Sequence, residues 1–178
     1  MAHEVDWTKS HNGLMLCRRN QVDDLMPEIV PILDDLAIWV PEQELNFWHD
    51  KLIDVKVHML MPGQYPCIPN WHRDFTPRKG MERIEGWKAP EDDPKMYMWL
   101  SGGPLTEYRI DEDVTIFKPA QQWHEFTRNC MHRGTKSEEH QWRCFIRIIP
   151  DVFVHSHQMN AGQIRRHSQV YLSEKFRW

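Results

Sequence analysis

Hydrophobic residues in the first part of the chain recur at the spacing of a helix. Residues 22–39 follow the 3.6-residue period, which predicts an amphipathic helix over this range. Its apolar positions are Leu25, Ile29, Ile32, Leu33 and Leu36. Pro27 and Pro31 lie near the front, where proline is tolerated, so we expect the helix proper to begin near one of them. A second short helix is predicted over residues 42–51.

Beyond residue 52 the pattern changes to short extended runs, separated by turn residues such as proline and glycine. The predicted strands cover residues 54–61, 95–100, 105–110, 113–118, 122–126 and 142–149. Short strands at this spacing are typical of an antiparallel barrel or sandwich. The pattern therefore predicts a mainly β fold with N-terminal helices.

The strand predicted over residues 142–149 has two faces of different character, because side chains alternate along a strand. Its packing face carries Trp142, Cys144, Ile146 and Ile148. The opposite face presents Arg143 and Arg147 on either side of Phe145. These arginines point either into water, where they aid solubility, or into a polar cavity. In a cavity, a guanidinium fork could hold a dicarboxylate by two-point contact.

Composition sets the broad class of the protein. The chain has 178 residues, a formal net charge of −4, 40% hydrophobic residues and 27% charged residues. We expect one domain, with residues 1–52 as a helical buttress, 53–150 as the β core and 151–178 as a C-terminal extension. No apolar run approaches the ~20 residues that span a bilayer, and the start lacks a signal peptide. These features predict a soluble, cytoplasmic protein with no membrane partner, and the mild acidity disfavours nucleic acid as a partner.

Candidate chemistry begins at the tripeptide His72-Arg73-Asp74. Residues two apart in an extended segment face the same way, so His72 and Asp74 can bind one ion together. Alone, the tripeptide is better explained as a surface turn or a local His–Asp hydrogen bond than as a metal site. A second imidazole, His132, follows 58 residues after Asp74, and Arg143 lies eleven residues beyond it.

Taken together, His72-x-Asp74, His132 and Arg143 resemble the motif of Fe(II)/2-oxoglutarate-dependent oxygenases. The spacing is most similar to that of the taurine dioxygenase and phytanoyl-CoA hydroxylase branches, and the resemblance covers about residues 55–149. It implies a double-stranded β-helix, the jelly-roll or cupin-like barrel. It also implies that His72, Asp74 and His132 are the iron ligands and that three iron positions stay open for 2-oxoglutarate and dioxygen.

The resemblance further assigns roles to residues outside the ligand set. Arg143 would hold the far carboxylate of 2-oxoglutarate, with the hydroxyl of Thr106 as a partner. Arg147 would bind either the other carboxylate of 2-oxoglutarate or an anionic group of the substrate. The implied activity is that of a non-haem iron dioxygenase, a hydroxylase acting on a small-molecule or peptidyl substrate, with a modified nucleotide also open.

His124 is a second candidate for the distal ligand. With His124, the sequence fits a cupin-like metalloprotein, an isomerase or a 2-oxoglutarate-independent dioxygenase that uses His72, Asp74 and His124. Such a protein has no need of a buried cation at Arg143, which therefore distinguishes the two hypotheses. A third hypothesis is a binding barrel that has lost its metal.

The charged stretch over residues 76–94 follows directly after Asp74 and lacks an apolar period. We expect it to form a mobile flap over the mouth of the barrel and to contact substrate.

Overall fold

The computed structural model describes residues 3–10, 13–40, 47–75, 93–153, 162–165 and 168–172. Its N-terminal part contains a strand as well as helices. The elements in order are strand β1 (Gly13–Cys17), helix α1 (Arg19–Leu25), a 3-10 turn (Pro27–Ile29) and helix α2 (Val30–Trp39). The sequence pattern did not predict β1, so the description of this region as a purely helical buttress is incomplete.

The single helix predicted over residues 22–39 is interrupted at Met26. Pro27 has no amide hydrogen and its ring clashes with the preceding turn, so α1 ends before it. Pro31 lies in the first turn of α2, where the missing hydrogen costs nothing. The helical period was therefore correct, and the expectation that the helix proper begins near Pro27 or Pro31 is confirmed, because α2 starts at Val30. Residues 22–25 belong instead to the separate helix α1.

The remaining elements are strands. They are β2 (Lys51–Leu60), β3 (Met96–Leu100), β4 (Thr106–Arg109), β5 (Thr115–Phe117), β6 (His124–Phe126), β7 (His132–Gly134), β8 (Gln141–Pro150) and β9 (Gln163–Ile164). Six of them correspond to predicted strands, whereas β7 and β9 were not predicted. The helix predicted over residues 42–51 is wrong at its C-terminal end, because residues 47–50 form a turn and Lys51 already pairs with Pro150. Residues 41–46 lie outside the described residues.

The strands form two antiparallel sheets. The larger has the order β6-β3-β8-β2-β1-β9, and the smaller has the order β5-β4-β7. At the centre of the larger sheet, β2 and β8 pair over their whole length, from Lys51 opposite Pro150 to Leu60 opposite Gln141. Because directly opposed residues point to the same face, this register decides which side chains meet on each side of the sheet.

One face of the larger sheet packs against α1 and α2. Val55, Cys144 and Ile146 are fully buried there, together with Leu33 and Leu36 of α2. The indole of Trp123, just before β6, donates a hydrogen bond of 2.9 Å to the carbonyl oxygen of Ile32 and attaches this edge of the sheet to the helix. The predicted packing face of residues 142–149 is thereby confirmed.

The other face of the larger sheet carries charged residues in its central strands. Asp54 lies opposite Arg147, Lys56 opposite Phe145, and His58 opposite Arg143. On this face, Lys56, Phe145 and Arg147 line a cavity together with Thr106, Tyr108 and His132 of the smaller sheet. The mainly β class with N-terminal helices is confirmed, whereas closure into a double-stranded β-helix stays a prediction. Among the described residues, no helix is both long and apolar enough to cross a membrane.

Candidate metal centre

Three backbone hydrogen bonds bring the first predicted ligand segment to β7. His72 and His132 exchange amide-to-carbonyl bonds of 3.0 and 2.9 Å, and the Gly134 amide donates to the carbonyl of Ile68 at 2.9 Å. Gly134 fits here because a β-carbon at this position would lie 2.7–2.8 Å from the sulfur and the carbonyl oxygen of Cys67. The close approach of the two segments therefore positions His72 directly beside His132.

His72, Asp74 and His132 converge, as the resemblance implied. One ligand atom from each lies within 4.8 Å of the others. The Nε2 atom of His132 is 3.7 Å from the Oδ2 atom of Asp74, and the two imidazole centroids are 4.4 Å apart. Two ligands bound at about 2.1 Å to one ion are separated by roughly 3.0–3.6 Å, so small side-chain rotations would complete the site.

Both imidazoles are held in the tautomer that suits a metal. The Nδ1 atom of His72 is 2.8 Å from the carbonyl oxygen of Asn70, and that of His132 is 3.0 Å from the carbonyl oxygen of Cys130. A carbonyl oxygen can only accept, so each Nδ1 carries a hydrogen, and in the neutral ring this leaves the lone pair on Nε2. Burial, together with the neighbouring His132, lowers the pKa of His72 and favours the neutral, ligating form. The donor set therefore fits a divalent transition metal.

Asp74 is the charged member of the group. Burial alone would raise its pKa, but Arg147 and the two histidines outweigh that effect and hold the pKa of the carboxyl at about 2. Arg147 donates through Nη1 to Asp74 at 2.7 Å and through Nη2 to Asp54 at 3.0 Å. Both terminal nitrogens of Arg147, for which a carboxylate of cosubstrate or substrate was expected, thus already contact protein carboxylates.

His124 does not join this group. Its Nε2 atom lies 2.7 Å from the carbonyl oxygen of Pro119 and donates to it, which leaves only its Nδ1 atom able to ligate a metal. Among the described residues, His124 forms no candidate metal group with His72 and Asp74. Within the described part of the chain, the His, Cys, Asp and Glu side chains that come together as a candidate metal group are His72, Asp74 and His132.

A cavity of about 220 Å³ lies against the three side chains. Its apolar wall includes Phe126 and Tyr108, whose rings are 6.1 and 5.7 Å from that of His132. Its polar lining includes Lys56, Arg147 and Arg165. The cavity is thus partly hydrophobic beside the candidate ligands and positively charged along the larger sheet.

Arg143 lies next to this cavity, behind its lining. The residue is 2% exposed, and its guanidinium carbon is 5.9 Å from the centre of the Phe145 ring, which lines the cavity. Among the described residues no carboxylate lies within salt-bridge distance of Arg143, and its Nε atom has no hydrogen-bond partner. Burial disfavours the charged form of the Arg143 guanidinium and therefore lowers its pKa. A buried cation without a counterion is costly, so this position is suited to a bound anion.

Thr106 also lines the cavity and is 3% exposed. Its hydroxyl lies 3.9 Å from the sulfur of Met98. A thioether is a weak acceptor, so the hydroxyl remains available to a stronger partner in the cavity.

Lys56 is a cavity residue that the sequence reasoning missed. Its ammonium is 5.7 Å from the centre of the Phe145 ring, and no described carboxylate lies within salt-bridge distance of it. The alternation along β2 could have identified it. Asp54, Lys56 and His58 alternate in sequence with the buried Val55 and Val57, so the three charged or polar residues share the opposite face of the strand. The flap predicted over residues 76–94 lies almost entirely outside the described residues and stays a prediction.

Comparisons with known proteins give little further information. The sequence matches no protein-family model and no curated protein. A partial structural likeness exists to the crystal structure of a cupin-2 domain containing protein from Shewanella frigidimarina NCIMB 400. The likeness has a TM-score of 0.34 and 10% sequence identity, and it covers 68% of this chain and 94% of that chain. A likeness of this degree does not by itself establish a shared fold.

Proposed function

We propose that the protein is an Fe(II)- and 2-oxoglutarate-dependent oxygenase that hydroxylates a small-molecule or peptidyl substrate. The observation that carries the proposal is a pairing of two features around one cavity. His72, Asp74 and His132 come together as a ligand group, and Arg143 lies buried next to the same cavity without a counterion among the described residues.

The ligand group suits ferrous iron in type and number. Two neutral imidazoles and one carboxylate on one side of an ion leave its remaining positions open to other ligands. The carbonyls of Asn70 and Cys130 hold the two rings in the tautomer that binds metal. When bound, Fe(II) would supply the activation of dioxygen, coupled to oxidative decarboxylation of 2-oxoglutarate.

The chain's own residues would position the cosubstrate and exclude water. Arg143 can hold the far carboxylate in a charge-assisted, two-point contact, and the Thr106 hydroxyl can donate a further hydrogen bond. Phe126 and Tyr108 form an apolar wall beside His132 and limit the access of water to it. Arg147 keeps Asp74 ionised, which is the state that ligates a metal.

The test is formation of succinate. Protein reloaded with Fe(II) under low oxygen, then given 2-oxoglutarate and air, should produce succinate slowly even without its true substrate. His132→Ala should abolish this product, whereas the matched control His124→Ala should keep most of it, because His124 is bonded to Pro119 away from the ligand group. Succinate formed equally by His132→Ala would contradict the proposal.

A second candidate function is a cupin-like metalloprotein that does not use 2-oxoglutarate, as an isomerase or another kind of dioxygenase. One observation favours it: Arg147 already contacts Asp74 and Asp54, so one of the two arginines expected to bind a carboxylate of a cosubstrate is occupied. Because His124 does not converge with His72 and Asp74 among the described residues, the ligands would again be His72, Asp74 and His132. A metal-loaded protein that does not bind 2-oxoglutarate in a direct titration would favour this second function.

A further inference from the structure

Among the described residues, the charges at the cavity do not balance. Lys56, Arg147 and Arg165 line it, and Arg143 lies behind its lining residue Phe145. The described carboxylates that pair with these cations are those of Asp54 and Asp74. Arg147 bridges these two carboxylates, and Arg165 contacts Asp54 as well. This leaves Lys56 and Arg143 without a carboxylate at salt-bridge distance among the described residues.

Lys56 and Arg143 occupy neighbouring places on the same face of the sheet. Lys56 lies opposite Phe145 on β8, and Arg143 is two residues from Phe145 on that strand. Both charges approach the ring of Phe145, at 5.7 Å for Lys56 and 5.9 Å for Arg143. The lysine lines the cavity, whereas the arginine lies behind it.

A dicarboxylate cosubstrate does not neutralise this region. A bound divalent metal adds two positive charges to those of Lys56 and Arg143, and 2-oxoglutarate brings two negative ones. Two positive charges then remain among partly or fully buried side chains, where uncompensated charge is costly. Burial lowers the pKa of the Lys56 ammonium; the neighbouring Asp54 raises it in part, whereas Arg147 and Arg165 lower it further, so the net direction is down and an adjacent anion would stabilise the charged form.

We infer that the substrate of the proposed oxygenase carries an anionic group, a carboxylate, sulfonate or phosphate, which the ammonium of Lys56 binds. The inference rests on the proposed function, because it assigns the far carboxylate of 2-oxoglutarate to Arg143 and leaves Lys56 for another ligand.

Lys56 and the three candidate ligands line the same cavity of about 220 Å³. The anionic group at Lys56 and the reacting carbon near the ligand group would therefore lie within one small cavity, which favours a small substrate or the anionic end of a larger one.

The experiment measures anion binding to the protein already saturated with metal and cosubstrate. Fe(II)-loaded protein under argon, with saturating 2-oxoglutarate, is titrated calorimetrically with inorganic phosphate, acetate and methanesulfonate in separate runs. The variants are Lys56→Met, Lys56→Arg and the control Lys95→Met, which changes an exposed lysine of a surface ion pair. Melting temperatures of the variants verify that each is folded.

At least one of the three anions should bind wild type and the control, and the most strongly bound one identifies the preferred group. Lys56→Met should lower the affinity for that anion at least tenfold, because a charge-assisted hydrogen bond is lost, whereas Lys56→Arg should keep most of the affinity. The affinity for 2-oxoglutarate should change less than twofold in Lys56→Met. A general salt effect of phosphate would appear equally in all variants and would count against a site at Lys56.

Three results would overturn the inference. They are the binding of no anion to the saturated protein, equal anion binding by Lys56→Met and wild type, and a tenfold loss of 2-oxoglutarate affinity in Lys56→Met. The last result would place Lys56 in the cosubstrate site.

If wild type binds metal but no 2-oxoglutarate, the proposed function fails by itself. Repeating the anion titrations on the metal-loaded protein then decides the role of Lys56, since a tenfold loss in Lys56→Met keeps the anion site and equal binding excludes it.

Discussion

The two faces of the larger sheet are made by the same strands yet have opposite chemistry. On the helix side, β2 and β8 contribute residues such as Val55 and Ile146, which are fully buried in an apolar cluster. On the cavity side, the intervening residues of the same strands include Lys56 and Arg143. The helix face stabilises the fold, whereas the cavity face carries two charges, Lys56 and Arg143, that have no carboxylate at salt-bridge distance among the described residues; such charges cost stability and are suited to binding. Substitutions on the two faces should therefore differ in kind.

The largest effect on stability should come from the helix face. Ile146→Ala leaves a cavity at a fully buried position of the central strand β8. It should lower the free energy of unfolding by about 2–5 kcal/mol while leaving metal affinity nearly unchanged. Urea denaturation of the metal-free protein measures the first quantity, and calorimetric titration with metal measures the second. A large loss of metal affinity with unchanged stability would break the distinction between the faces.

The next effect concerns the ligand group. His132→Ala removes one of three converging ligands and should weaken divalent metal binding by roughly 100-fold or more, since losing a residue that merely supports a ligand already costs about 10–100-fold. The variant's folding stability should fall far less than that of Ile146→Ala. Titration with Co(II) gives the affinity, and His124→Ala serves as the matched control. Equal affinities in the two variants would remove His132 from the site.

Arg143 should show the opposite signs of effect on stability and binding. Arg143→Leu replaces a buried cation, which has no carboxylate at salt-bridge distance in the described part of the chain, by an apolar side chain, so the metal-free protein should be as stable as wild type or more stable. Its affinity for 2-oxoglutarate should fall at least tenfold, because a charge-assisted contact is worth about 1.5–3 kcal/mol. Thermal denaturation and calorimetry measure the two changes. A strongly destabilised variant would show that the arginine has a structural partner and would weaken its assignment to a ligand.

The smallest predicted effect is the pH dependence of stability that arises from His58 on the cavity face. Burial and the nearby Arg143 guanidinium lower the pKa of His58 from 6.5 to about 3 in the folded protein. The unfolded chain therefore binds an extra proton between pH 6.5 and about 3, so this contribution to stability is lost as the pH falls through that window. Between pH 6 and 5 the loss should be about 1 kcal/mol. In denaturation curves at pH 6 and pH 5, the free energy of unfolding of His58→Gln should fall less than that of wild type by this amount. An equal fall in the two proteins would show that His58 does not contribute to the acid sensitivity.

Local patterns predicted much of the fold. Alternation located β2, β3 and β8, and the helical period located α2, because these elements bury apolar side chains on one face. The short strands β7 and β9 were missed because pairing with distant segments determines them: His132 bonds to His72, and Gln163 pairs with Met15. The two prolines predicted that the helix proper begins near Pro27 or Pro31. They did not predict that the residues before Pro27 form a separate helix, α1, joined to α2 by a 3-10 turn.

The candidate site was predicted to a similar extent. Motif order proposed His72, Asp74 and His132, with His124 as the alternative distal ligand, and the structure brings the first three together. Sequence alone could not choose between His132 and His124, since the choice depends on the backbone pairing that places His132 beside His72. The position of Arg147 between Asp54 and Asp74 was also unpredictable, because it depends on the register between β2 and β8 and on the path of the segment that carries Asp74.

Binding of 2-oxoglutarate that depends on the metal is the most direct test of the proposed function. We predict that 2-oxoglutarate, titrated calorimetrically into the Fe(II)-loaded protein under argon, binds with a stoichiometry of one per chain. Binding to the metal-free protein should be at least tenfold weaker, because the ligand then contacts Arg143 and Thr106 but no metal. Equal binding with and without Fe(II), or no binding to the loaded protein, would contradict the oxygenase assignment.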